Sequence, residues 1–234
     1  MSRGAVTAAL AALLLLAACG RPLTTSEMAF LDTLQGDMLD PAPVRIRGDL
    51  APGAPVEVPP RPRLTCQERL FPPRVESFHS TPGAMAIFES IHVRPDLYRG
   101  DFIRGDWEGQ AVPALLDAML LAHEMTHVWQ WQNRELTGYH PLRAAFEHVG
   151  NPDPYLFDPE TQADFLSFGY EQQGSIVEEF VCCRTLAPDA ERTQRLYDMI
   201  SKVMPVERYS DLARDGIILP WAGAEIEGIC DHAP

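Results

Sequence analysis

The chain has 234 residues, 46% of them hydrophobic, with 33 acidic against 19 basic side chains and a formal net charge of −14. So acidic a balance excludes the phosphate-neutralising surface on which nucleic-acid binding rests, and no nucleic-acid partner is expected. The length and apolar content suffice for one sizeable core, so a single catalytic-sized domain with appended segments is expected.

At the amino terminus Arg3 supplies a positive charge, and residues 5–18 are apolar except for Thr7. A bilayer-spanning helix needs about 20 apolar residues, so the run is read as a cleaved export signal over residues 1–18. It closes with Leu16-Ala17-Ala18-Cys19, which resembles the lipobox of bacterial lipoproteins. That resemblance implies cleavage before Cys19 and a diacylglycerol anchor on its thiol. Gly20 follows in place of an aspartate, which in such lipoproteins implies sorting to the outer membrane, facing the periplasm. Residues 19–63 carry Pro41, Pro43, Pro52, Pro55, Pro59, Pro60 and Pro62 with little apolar periodicity, and are predicted to be a semi-stiff tether with short ordered pieces. Residues 64–234 are left as the folded domain.

Within that domain, residues 84–93 have the β-branched and aromatic content of one or two strands, bounded by Pro82-Gly83 and Pro95. A small sheet is therefore expected before a long helix that starts at Pro113, runs through the apolar stretch to Trp131 and stops at Gly138. A second helix is predicted to start near Asp158, with Asp158 as its cap, and to run through Phe165, Phe168 and Ile176 to Leu186 before Pro188. A third spans about Asp189 to Val203, and the tail beyond Arg214 reads as irregular. In an oxidising compartment Cys66, Cys182, Cys183 and Cys230 form two disulfides by default. Adjacent cysteines make a strained ring if joined, so Cys182 and Cys183 are expected to bond Cys66 and Cys230, in an order the sequence leaves open. No CxxC spacing supports a cysteine zinc site.

The long helix carries His123-Glu124-Met125-Thr126-His127. Residues four apart share a helix face one turn apart, so His123 and His127 can direct both imidazoles at one Zn2+ ion. Glu124 lies beside the open coordination position, where a carboxylate takes a proton from metal-bound water and returns it to a leaving amine. The flanking Leu120, Leu121, Ala122 and Val128 are apolar, as a metal site in a dry cavity requires. Trp129 and Trp131 point to different sides of the helix, so at least one packs in the core. A catalytic zinc takes three protein ligands, and the metzincin spacing fails because its glycine and histidine positions hold Gln130 and Asn133. A carboxylate on another helix is the remaining common solution, and the acidic candidates cluster between Glu171 and Glu179.

The string from His123 to Gln130, together with Tyr170-Glu171-Gln172-Gln173-Gly174 and Ile176-Val177-Glu178-Glu179, resembles bacterial Vgr-related zinc metallopeptidases, over about residues 80–185. The resemblance implies a gluzincin-like, α+β zincin-like domain: a motif helix, a second ligand-bearing helix and a small sheet. It implies Glu171 as third ligand, because gluzincins place a small residue three positions after it, here Gly174. Glu178 is the alternative ligand, or orients a histidine. Ser175 stands where gluzincins carry an acid, so the hydroxyl would have to orient an imidazole without adding charge. The implied function is Glu124-assisted attack of zinc-bound water on a peptide bond of a peptide or protein substrate. The alternative is a catalytically inactive, zinc-stabilised binding or assembly lipoprotein. Tyr139, His140, Tyr155 and Tyr170 are candidates to stabilise an oxyanion, and His79, His92, His140, His148 and His232 read as ordinary core or surface histidines rather than ligands.

Overall fold

The computed structural model of the protein describes residues 20–107, 110–149, 151, 153–209, 212 and 216–231; residues 1–18, read above as an export signal, with Cys19 and His232, lie outside the described residues. In chain order the elements are α1 (Thr25–Gln35), β1 (Arg45–Arg47), β2 (Val56–Val58), α2 (Cys66–Leu70), β3 (Phe78–Ser80), β4 (Ala84–Ile87), β5 (Ser90–Val93), β6 (Arg104–Trp107), β7 (Gln110–Pro113), α3 (Leu115–Gln132), α4 (Arg134–Thr137), α5 (Pro141–Glu147), α6 (Tyr170–Leu186) and α7 (Glu191–Ile200). The class is mixed α+β, with small sheets ordered β1-β5-β4, β2-β3 and β6-β7. Among the described residues no helix is long and apolar enough to cross a membrane.

The stretch read as a tether is corrected over its first half. Thr24 and Glu27 form a reciprocal capping box that starts α1, and Leu23, Phe30, Leu31, Leu34, Val44 and Ile46 are all buried. The buried Glu27 carboxylate accepts two bonds from the Arg21 guanidinium, at 2.7 and 2.6 Å, and one from the Phe102 amide at 2.9 Å. β1 then runs parallel to β5, which places Ile46 in the core. The prolines that suggested a spacer begin only at Pro41, and the exposed, extended character they impose is found mainly over residues 51–63.

The stretch expected to hold one or two strands forms β4 and β5, a hairpin closed by a two-residue turn, with Ile87 opposite Ser90. Phe88 in that turn has a positive φ of 55°, a strained choice for an aromatic residue, and its ring centre lies 4.5 Å from that of Trp131. β4 packs against α3. Helix α3 is buried around most of its circumference, from Leu115 to Gln130, which is why its residues are apolar on every side rather than along one stripe. Trp129 is in the core, whereas Trp131 is half-buried and donates its indole N–H to Glu89. The helix breaks at Asn133, and the stop expected at Gly138 falls at the end of the short α4, with Gly138 left-handed at φ 66°.

Helix α6 starts at Tyr170, twelve residues later than Asp158, and this corrects the predicted start. Residues 158–169 form turns and a 3-10 turn at Phe165–Ser167. The first amides of α6 are capped from elsewhere: the Glu147 carboxylate accepts from Tyr170 at 2.9 Å and from Glu171 at 3.0 Å. A cap delivered across space leaves no local signal. The C-terminal end at Leu186 agrees with the sequence, and α7 is shorter than its predicted span.

The disulfides are Cys66–Cys182 and Cys183–Cys230, which supplies the order that the sequence left open. Both end on adjacent residues of α6 and tie it to α2 and to the C-terminal segment. The second closes a sequence separation of 47 residues. Replacing Cys183 and Cys230 together by serine is expected to lower unfolding free energy by about 4 kcal/mol in the chain-entropy account. Denaturant melts of the oxidised pair of proteins would measure it; coincident midpoints would remove the cross-link from any account of α6 stability.

Candidate metal centre

Helices α3 and α6 lie side by side, and their contacts run in opposite order along the two helices. His123 meets Glu178 and Glu171, while Gln130 meets Tyr170 and Gln173, so the pair is antiparallel. The close approach depends on Gly174. A Cβ there would lie 2.7 Å from Cε1 and 2.8 Å from Nε2 of His123.

The two imidazoles present the same nitrogen to one carboxylate oxygen. Oε2 of Glu171 lies 3.2 Å from Nε2 of His123 and 3.3 Å from Nε2 of His127. These three atoms fall within 4.8 Å of one another, and all three residues are buried at their ligand atoms. Each opposite nitrogen is held from behind. Nδ1 of His123 is 3.2 Å from Glu178 Oε2, and Nδ1 of His127 is 2.9 Å from Gln130 Oε1. Both partners are acceptors, so both Nδ1 atoms donate; each Nε2 then donates to Glu171 when its imidazole is charged and offers a lone pair to an ion when it is neutral. Gln130 is fixed in turn, donating to the Tyr170 carbonyl at 3.1 Å and to Gln173 Oε1 at 3.0 Å.

Charge follows from the geometry. Burial works against a charged His123, but the carboxylates of Glu178 and Glu171 outweigh it and hold the imidazole well above its ordinary value. His127 is likewise raised, by Glu171 against burial. Burial alone would lift Glu171, yet His127, His123 and His148 outweigh it and hold the carboxyl well below the usual range. Glu124 differs: it is 5% exposed, burial raises its pKa, and among the described residues its Oε2 has no hydrogen-bond partner. A buried carboxylate oxygen left unpaired is costly unless something outside the protein meets it.

Two of the three donor separations fit a tetrahedral zinc ion. Bonds of 2.0–2.1 Å at tetrahedral angles separate ligand atoms by about 3.3–3.4 Å, and charged N–H···O bonds are typically about 2.7–2.9 Å. The observed 3.2 and 3.3 Å match the first spacing. The cluster opens onto a cleft of about 880 Å³, which His123, Glu124, His127, Tyr155 and Glu171 all line. A second candidate cluster among the described residues, Cys66, Cys183 and Cys230, is spent in disulfides.

Of the residues singled out in sequence, His123, His127 and Glu171 come together and Glu124 stands beside them. It is Glu178, one turn beyond Ser175, that meets Nδ1 of His123, so the oriented imidazole does face a negative charge. Tyr155 sits against the site, its ring centre 5.8 Å from that of His123, and burial with the nearby Glu171, Glu124 and Glu178 carboxylates raises its hydroxyl. Tyr170 is turned away, donating to the Gly138 carbonyl at 2.6 Å, and His140 caps α5. Three residues were missed. His148, 45% exposed and read as ordinary, binds Glu171 Oε1 through Nε2 at 2.9 Å. Its hydrogen bond to Glu171 raises it. Glu147 caps α6, and Gln130 backs His127; only Gln130 left a signal, being three residues after His127 on the same helix face.

The fold and site together define a mixed α+β domain with a buried two-histidine, one-carboxylate candidate metal centre. Among solved structures the chain is similar to the effector domain of Pseudomonas aeruginosa VgrG2b, with a TM-score of 0.45 and 25% identity, over 86% of this chain and 94% of that one. No family model matches the sequence, and no curated protein matches it.

Proposed function

We propose that the chain is a zinc-dependent, peptidase-like hydrolase of the bacterial cell envelope: a zincin-like domain over residues 64–234 together with the packed segment before it, exported and anchored by lipid on Cys19. The observation that carries this reading is the convergence of both Nε2 atoms on one oxygen of Glu171 at 3.2 and 3.3 Å. His123, His127 and Glu171 would hold the ion. When bound, zinc supplies Lewis-acid polarisation of a scissile carbonyl and a lowered pKa for water. Glu178 and Gln130 keep both imidazoles in the one tautomer that leaves Nε2 free. His148 occupies Oε1 of Glu171, which leaves Oε2 as its ligand atom. Glu124 accepts the proton of the attacking water at its unpaired Oε2 and passes it to the leaving amine. The cleft of about 880 Å³ takes a peptide segment of a substrate protein.

Elemental analysis and hydrolysis of an unfolded protein substrate test this, before and after stripping with a chelator. About one zinc per chain is expected, with cleavage lost on stripping and regained on adding zinc. Bound zinc without cleavage would favour the inactive, zinc-stabilised lipoprotein, and no bound zinc would sink both readings.

The pH dependence has a definite sign. In the metal-free protein His123 and His127 are raised, so their pairing stabilises below about pH 6.5 and is lost as pH rises through their folded values. Glu171 is depressed, so its share is present above about pH 4.3 and lost only on acidification through its folded value. Zinc needs neutral imidazoles. The gain in Tm on adding zinc is therefore expected to grow between pH 6 and 8, measured by paired thermal melts; a gain that shrinks over that range is the contrary result.

A further inference from the structure

One wall of the cleft is formed by residues 153–157, and groups distant in sequence hold that stretch at both ends. At one end Phe157 is buried in the core, and the Leu156 carbonyl accepts from Gln172 Nε2 at 2.6 Å. At the other end the Arg61 guanidinium, from the extended segment after β2, binds the Asp153 carboxylate. Glu68 also faces Arg61, at 3.8 Å. Between the two anchors stands Tyr155, its ring centre 5.8 Å from that of His123 and 6.0 Å from that of His148. Arg61, Asp153 and Tyr155 all line the main cleft, and Arg61 and Tyr155 also line a neighbouring chamber of about 430 Å³.

An exposed ion pair contributes little, because water competes for both ends and two flexible side chains must be held. This pair is placed differently. Its side chains are 29% and 10% exposed, and it joins two segments of the cleft wall that are 92 residues apart. Asp153 is two residues from Tyr155, too short a distance for the backbone to absorb a displacement without moving the ring.

We propose that Arg61 and Asp153 are positioning residues for the metal centre: their ion pair fixes Tyr155 against His123, restraining that imidazole and the face of the cleft that a substrate meets. The effect on His123 stands on the metal site alone, whereas the effect on substrate rests on the peptidase reading.

Two measurements on the zinc-loaded protein separate these parts: the rate at which excess chelator strips zinc, and kcat and KM for a short peptide. Arg61→Gln and Asp153→Asn are each expected to speed stripping by about tenfold, and the double variant to be no faster than either single one. In the same variants kcat falls while KM moves less, Arg61→Lys recovers part of both, and the thermal midpoint stays near that of the parent. Unchanged stripping in either single variant, or additive effects in the double, would overturn the proposal. If the parent protein cleaves no peptide, the peptidase reading fails and the stripping rates still decide the role of the ion pair.

Discussion

Glu124→Gln is expected to leave zinc content unchanged and to lower peptide-bond hydrolysis by about a hundred- to ten-thousandfold. The amide fills the same space but accepts no proton. Glu124 is not among the three residues that converge, so removing its charge leaves the metal set intact. Stability should move the other way. Burial raises this carboxyl in the metal-free protein, so its contribution is present below the ordinary carboxylate value and is lost as pH rises through the folded one. Once pH has risen past that folded value the parent carries a buried charge with one unpaired oxygen, and the glutamine variant relieves that burden. Zinc analysis, initial rates and a thermal melt on the same preparation check all three points. A variant that hydrolyses peptide within a few-fold of the parent would remove Glu124 from the chemistry and leave the metal site standing.

Gly174→Ala is expected to weaken zinc binding by about ten- to a hundredfold. The added Cβ would meet three atoms of the His123 ring at 2.7 to 2.9 Å, closer than folded proteins tolerate. The ring has no free direction of retreat, being held at Nδ1 by Glu178 and at Nε2 by Glu171. Either the helices part or the imidazole turns, and both carry Nε2 away from Glu171. Stability supplies an independent sign. In a helix interior glycine to alanine ordinarily stabilises by about 1 kcal/mol, whereas overpacking costs about 1–3 kcal/mol. A lower melting point therefore reports the contact between helices, against the intrinsic preference of the residue. Zinc titration against a competing chelator gives the affinity; a variant that binds as tightly as the parent and melts higher would mean that α3 and α6 are not so close.

Local regularities carried much of this into the sequence. The spacing of His123 and His127 needs only the pitch of one helix, and the apolar residues around them need only burial. The opening of α1 was equally readable, since Thr24 and Glu27 have the three-residue spacing of a capping box, but the prolines further on masked it. What could not be read depends on contacts between distant segments. The cap that Glu147 gives to α6 moved the start of that helix, and the reach of His148 to Glu171 crosses from a loop. The choice between Glu171 and Glu178 turned on which imidazole nitrogen each carboxylate meets, a question of rotation about two helix axes that the seven-residue spacing between them leaves undecided.

If Cys19 carries the proposed lipid, the packing of the first described residues limits how far the domain could stand from a bilayer. Arg21 pairs with Ile46 in a β-bridge and grips Glu27, so the body of the protein begins almost at once. On the lipid-anchored reading an acyl group on Cys19 would have about one residue of slack, roughly 3–4 Å of extended chain, because Gly20 already packs against Arg47 and Ile46. Held so short, the domain would lie flush against the headgroups with little freedom to swing, and its choice among substrates would depend on what comes to the membrane surface.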